Sequence, residues 1–413
     1  MKKLLLAVTA ASAALLAGCA TTKSATGSSP GAFAAAPALD SSGYALFEKI
    51  RGQAKVADNT FISPVSVQQA LGLVHAGARG ETALQIEKAW GLPAGAAADQ
   101  ALAAQRGAIV GKAGDSEVKL ANALWLAKQF NFKSDYLKRT ETDYAATAQR
   151  LDFAGQPKAA AATINSWANK STNGLISEVA DPSSFSAATV SVLSNAIFFE
   201  GKWAEKFDAA VPDPFLFGDG SEKPFPMMNK LDRVAYAEAD GWKAVRLPYA
   251  SDNRFAMDLF IPVKRQSGAM LSAATYRSLT AKLAAADPVP VRLAVPRFEI
   301  DWKQQINDAL IALGIANAFD PQRADLLGIA EPAGGNLVIS KVSHASKLQV
   351  FETGTRAAAV TTVDIVVTGG VVIKPEPKVF RADQPFHLSI RELRSGTPLF
   401  LGRIASPKVY AGS

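Results

Sequence analysis

The chain has 413 residues, 48% of them hydrophobic and 20% charged, with a formal net charge of +7. That is enough apolar length to bury a large core, and no repeat or long polar linker after about residue 42 divides it, which points to one large domain. The basic residues are scattered, without a dense Lys/Arg run or alternating aromatics, so a solvated basic surface is expected and a nucleic-acid or polyanion site is not.

Lys2 and Lys3 precede a short apolar run from Leu4 to Leu16, the pattern of a secretory signal too short for a comfortable membrane span. Leu16-Ala17-Gly18-Cys19 then sets small residues before the only cysteine and resembles the lipobox of bacterial lipoproteins. The resemblance implies removal of residues 1–18, lipidation of Cys19 and stable anchoring by several acyl chains. Ala20 behind the cysteine, instead of Asp, implies the outer membrane of the cell envelope, facing the periplasm or the outside. With Cys19 lipidated, no internal disulfide can form. Residues 20 to 41 are rich in Ala, Ser, Thr, Gly and Pro, and 19–41 is expected to be a flexible tether before a folded domain at 42–413.

Ser63-Pro64 reads as an N-cap followed by proline in the first helical position. Val67, Ala70, Leu71 and Val74 form an apolar stripe that stops at Gly77. Thr82–Trp90 is predicted to be a helix closed by Gly91. Thr163–Lys170 and Lys303–Leu313 are predicted amphipathic helices, the second capped by Gly314. The apolar run Val190–Phe199 predicts a strand buried on both faces. Phe255–Ile261, Val289–Val295 and Leu337–Val342 are further predicted strands, and Phe386–Leu393 with Pro398–Ala405 forms a hairpin around Ser395-Gly396. Helices cluster early and strands late, so the fold class is α+β.

The catalytic inventory is poor. His75, His344 and His387 lie far apart, and no H-E-x-x-H, G-x-S-x-G, phosphate loop or dinucleotide fingerprint is present. Gly114-Asp115-Ser116 lies in a polar segment with no matching glycine run behind it. His344 reads as a hydrogen-bonded core histidine and not as a base. No enzyme activity, cofactor or metal is expected.

The stretch from Glu352 to Thr368, E-T-G-T-R-A-A-A-V-T-T-V-D-I-V-V-T, is written like a strand. One face carries Thr355, Ala357, Ala359, Thr361, Val363, Ile365 and Val367, grading from small to β-branched. The other carries both charges, Arg356 and Asp364, with Ala358, Val360, Thr362 and Val366. That is the pattern of a strand with one buried face. Gly354 ahead of it and Gly369-Gly370 behind it let both ends bend sharply.

An ordered set of motifs frames this stretch. Asn59-Thr-Phe-Ile-Ser-Pro-Val-Ser66 and Gly77-Ala-Arg-Gly-Glu-Thr82 come first, then Ile164-Asn-Ser-Trp-Ala-Asn-Lys-Ser-Thr-Asn-Gly174. Leu193-Ser-Asn-Ala-Ile-Phe-Phe-Glu-Gly-Lys-Trp203, Phe225-Pro-Met-Met-Asn229, Val295-Pro-Arg-Phe298 and Lys341-Val-Ser-His344 follow. Phe380-Arg-Ala-Asp-Gln-Pro-Phe386 and Phe400-Leu-Gly-Arg-Ile404 finish the series. In this order they resemble the serpin family across essentially the whole of 42–410.

That resemblance implies early helices, a large central β-sheet, further sheets, and an exposed reactive-centre loop at about 352–379. It implies a suicide inhibitor of serine proteases: the loop is cleaved and acylated, its N-terminal part inserts into the main sheet, and the tethered protease is distorted. Glu352, Gly354, Thr355, Ala357, Ala358 and Ala359 match the inhibitory hinge. The departures, Arg356 and Val360, fall on the outward face. Ser63, Ser66, Asn195 and His344 match a polar cluster under the point where the sheet parts. Arg297, near Trp203, stands where the basic partner of Glu352 is expected, as an ion pair holding the top of the sheet closed. Counting fifteen residues with Gly354 as the first puts the reactive bond between Thr368 and Gly369, with Val366 and Val367 as alternatives. Small uncharged residues there fit elastase-like or subtilisin-like proteases. The expected partners of this monomer are a target protease and, through Cys19, a membrane. The alternative is a non-inhibitory binding lipoprotein on the same fold.

Overall fold

The computed structural model describes residues 30–187, 189–250, 253–331, 337–355 and 376–412. Eight α-helices lie among them: α1 Pro30–Gly52, α2 Pro64–His75, α3 Gly80–Trp90, α4 Ala96–Ile109, α5 Ser134–Tyr144, α6 Pro157–Ser171, α7 Ala273–Ala285 and α8 Asn307–Ala312. Cys19 lies outside the described residues.

Helix α2 forms for the reasons its sequence supplies. Ser63 is extended and its Oγ accepts the Ser66 N–H at 3.2 Å, Pro64 occupies the first turn, and Val65, Val67, Leu71 and Val74 are buried. The helix stops just before Gly77, where a Cβ would come within 2.3 Å of Ile329. Gly91 closes α3 in the left-handed region. At the far end of α2 the buried His75 ring bridges Glu87, at 2.9 Å, and Asp99, at 3.2 Å; Asp99 also accepts from Tyr144 and Arg139. Burial alone would lower the pKa of His75, but the two carboxylates outweigh it and hold the imidazole pKa above its ordinary value.

Helix α1 corrects the expected tether. Residues 30–41 are helical, Leu39 is fully buried, and Asp40 accepts from Tyr276 at 3.1 Å and from Arg391. Alanine-rich composition reads as low complexity, yet alanine is the best helix former, and α1 packs on α2 and α4.

The strands build two large sheets. One has nine strands in the order Thr60–Ile62, Pro398–Ile404, Phe386–Glu392, Phe255–Pro262, Trp242–Tyr249, Glu222–Ala239, Val289–Pro296 and Lys378–Arg381, with Val211–Leu216 also paired to Glu222–Ala239. All eight residues of Phe255–Pro262 are buried, including Asp258, whose charge is met by Arg246 at 2.7 and 2.8 Å. The expected hairpin around Ser395-Gly396 forms here.

The second, main sheet runs Lys408–Val409, Phe298–Gln305, Ser343–Phe351, Gly354–Thr355, Ser191–Lys202, Ser116–Ala127 and Gly111–Ala113, with Ala146–Leu151 parallel to Ser116–Ala127. Three expectations change here. Lys303–Gln305 is strand and not helix, because its backbone pairs with Ser343–Ala345; the helix α8 starts only at Asn307. Leu337–Val342 is no strand: Leu337 and Ile339 are buried, but no ladder includes them, and the strand begins at Ser343. Ser191–Lys202 is buried at Ala196–Phe199, while Ser191–Asn195 is only half-buried.

Candidate functional site at the top of the main sheet

The half-buried end of Ser191–Lys202 has a cause in the sheet. Among the described residues, this strand and Ser343–Phe351 share no ladder; only Gly354–Thr355 joins them, pairing with Val350–Phe351 on one side and Gly201–Lys202 on the other. Below that bridge lies a cleft walled by Leu193 and Asn195 on one strand and Ser343 and His344 on the other, with Val67, Leu71 and Val74 of α2 as its floor. The stripe that defines α2 therefore faces the place where a strand is missing.

Each seated hinge residue fits for a physical reason. A Cβ at Gly354 would meet the Gly201 carbonyl oxygen at 2.3 Å, so only glycine lets these backbones approach. Thr355 is 2% exposed, and its Oγ1 lies 2.7 Å from the Tyr249 hydroxyl. Burial pushes the Tyr249 pKa far up, so the phenol stays neutral; its ring stacks on Trp203 with centroids 4.5 Å apart. Trp203 in turn donates its indole N–H to the Phe351 carbonyl at 3.0 Å and its backbone N–H to the Thr353 carbonyl at 3.1 Å.

Glu352 sits in the turn above. Its Oε1 is 3.4 Å from Arg297 Nη1 and accepts the Ala210 N–H at 3.1 Å, while its carbonyl accepts the Phe207 N–H at 2.9 Å. The pair is partly exposed and long for an ion pair, which makes it weak by itself.

At the level of the cleft, Ser63, Ser66, Asn195 and His344 are brought together. The Ser63 backbone N–H donates to His344 Nε2 at 2.9 Å, and the Ser66 hydroxyl donates to Asn195 Oδ1. His344 is 6% exposed, and burial lowers its pKa to about 4, so the ring is a neutral acceptor at neutral pH. The cluster extends to a residue that sequence reasoning missed: Asn122 accepts from Asn195 Nδ2 at 2.6 Å and donates to the Tyr144 carbonyl at 2.7 Å. Tyr249 and Tyr410 were also missed, since each acts through contacts with strands far away in the chain. Among the described residues, no group of three His, Cys, Asp or Glu side chains could hold a metal ion.

Ala357, Ala358, Ala359, Val366, Val367, Thr368 and Gly369 fall outside the described residues, as do Arg356 and Val360. The hinge strand is therefore seen at its first two residues, which already lie within the sheet and not outside it.

A family model described as Serpin (serine protease inhibitor) matches residues 38–407. The chain is 30% identical over 376 residues to an uncharacterized serpin-like protein of Thermococcus kodakarensis, covering 90% of this chain and 85% of that one. It is 31% identical over 362 residues to the leukocyte elastase inhibitor of Homo sapiens, covering 85% and 94% of the two chains. The native-state structure of tengpin, a thermophilic serpin, has a TM-score of 0.77 to this fold at 25% identity, covering 89% of this chain and 94% of that one.

Proposed function

The chain belongs to the serpin family, and on that premise we propose that it is a suicide inhibitor of serine proteases. A protease serine attacks the Thr368 carbonyl, the peptide bond to Gly369 breaks, and the Gly369 amine leaves as the acyl ester forms. Insertion of the loop behind Thr355 then competes with hydrolysis of that ester. The observation that carries this reading is the seated pair Gly354–Thr355, standing at the head of a cleft between two strands that, among the described residues, are otherwise unpaired with each other. The faces of Glu352–Thr368 supply the rest: the residues on the side that Thr355 turns inward grade from small to β-branched, with no charge among them.

Val366, Val367 and Thr368 fit a shallow specificity pocket, so the target is elastase-like or subtilisin-like. That a relative is named leukocyte elastase inhibitor supports this choice. Mixing the protein with a neutrophil-type elastase is expected to give a band of summed mass on a denaturing gel. Clean cleavage without such a band, across elastase and subtilisin alike, would leave the non-inhibitory reading in its place.

Lipidation of Cys19 adds an address: the inhibitor works from the cell envelope, in the outer membrane. The expected result for Cys19→Ser is release of the folded protein from the membrane pellet into the soluble fraction; retention in the pellet would remove the anchor from the proposal.

A further inference from the structure

The last residues of the chain run past the family match, which ends at 407, and return to the hinge. Lys408–Val409 adds two residues to the outer edge of Phe298–Gln305, pairing with Glu299 and Phe298. Both tail residues are exposed, Val409 at 50%, so this strand is not there to bury apolar surface. What it does is deliver Tyr410. The Tyr410 ring stacks on Phe351, with centroids 5.2 Å apart and planes at 27°, and lies beneath the Arg297 guanidinium, 5.6 Å from its centroid. Arg297 donates from Nε to the Tyr410 carbonyl at 3.1 Å and from Nη2 to the Gly412 carbonyl, while Nη1 faces Glu352.

Tyr410 thus grips both sides of one turn, touching Phe351 directly and Glu352 through Arg297. A lone arginine on a half-exposed carboxylate holds little, but a planar guanidinium with three of its nitrogens engaged is fixed in orientation. The tail's contacts run to Phe298, Glu299, Arg297 and Phe351, so what it braces is the turn, folded back.

We propose that Tyr410 and Arg297 are positioning residues, and that the tail Lys408–Gly412 is a strap keeping the turn at 351–355 folded so that Gly354–Thr355 stays seated as the seed of the inserting strand. The proposal rests on the inhibitory reading only for its consequence: a chain that starts insertion from a seated seed outruns hydrolysis of the acyl ester more often than one that must first fold the turn.

The test compares the full chain with Tyr410→Ala, Tyr410→Phe and a chain ending at Pro407, using two measurements. Hydrogen exchange over 350–355, read without any protease, is expected to quicken by about tenfold in Tyr410→Ala and more in the shortened chain, and to stay unchanged in Tyr410→Phe, which keeps the ring. With elastase, the moles of inhibitor consumed per mole of enzyme blocked are expected to at least double in the first and third, while Tyr410→Phe matches the full chain. Unchanged exchange at the turn, or Tyr410→Phe behaving as Tyr410→Ala, overturns the strap. So does quicker exchange with no change in the consumption ratio. If even the full chain forms no covalent complex, the inhibitory reading fails, and exchange still decides the strap by itself.

Discussion

Thr355→Arg is expected to change the protein from an inhibitor into a substrate: elastase should cleave the loop at an undiminished rate and leave unmodified. The wild-type side chain is 2% exposed and hydrogen-bonded to Tyr249, whose ring packs in turn on Trp203 and Phe199. None of these is an anion, and burying an unpaired guanidinium there costs several kcal/mol. Unseating the two hinge residues avoids that cost, since only two residues of pairing are given up on each side. The seed is lost while the bait near Thr368 is untouched, so acylation proceeds and hydrolysis wins. On a denaturing gel the covalent band should fall at least tenfold against the cleaved band. Thr355→Ser, which keeps the hydroxyl for Tyr249, should behave as wild type. Persistence of the full covalent band in Thr355→Arg would count against insertion through this site. Gly354 is constrained in a different way, by its distance of 2.3 Å from a would-be Cβ to the Gly201 oxygen, so its role is backbone approach and not side-chain burial.

How far the sequence carries depends on which force shapes each element. Helix α2 was legible because its cap, its proline and its stripe are local and agree with one another. The cluster Ser63, Ser66, Asn195 and His344 was legible only through family resemblance, since no local rule brings residues 63 and 344 to 2.9 Å. Ser343–Phe351 escaped notice because its inward positions include His344 and Ser346, which mask the period of two that Leu348 and Val350 continue. The preceding Leu337–Val342 looked more like a strand, yet its apolar residues are buried without a ladder, which composition cannot tell from pairing. Lys408–Gly412 has too few residues to show any period. Its partners, Arg297 and Phe351, lie far away in sequence, and Tyr410 says nothing of either until the chain is folded.

The acid behaviour of the sheet follows from His344. Its folded pKa, about 4, lies below the ordinary 6.5 because the ring is buried and charging it would break the bond from the Ser63 N–H. The sign is fixed by that order. Above about 6.5 both states are neutral and the contribution is whole; as pH falls toward 4 the unfolded chain takes up a proton that the folded one refuses, and stability drops. A shift of this size corresponds to about 3 kcal/mol at pH 4. His387, also buried and with its pKa well below the ordinary value, adds an acid loss of its own, so the informative quantity is a difference. In His344→Gln the side-chain oxygen can accept the Ser63 N–H without titrating. Urea unfolding of wild type and His344→Gln at pH 7, 6, 5 and 4 should show the variant losing less by about 3 kcal/mol over that range. Hydrogen exchange should locate the excess wild-type loss at the start of α2 and in Ser343–Phe351, the two elements that the ring joins. Parallel curves for the two proteins would mean that the ring is not held neutral. Because the same ring stands at the mouth of the cleft, acid should also ease entry of the strand behind Thr355, so wild type held at pH 5 should pass spontaneously into a heat-resistant inserted form faster than His344→Gln does.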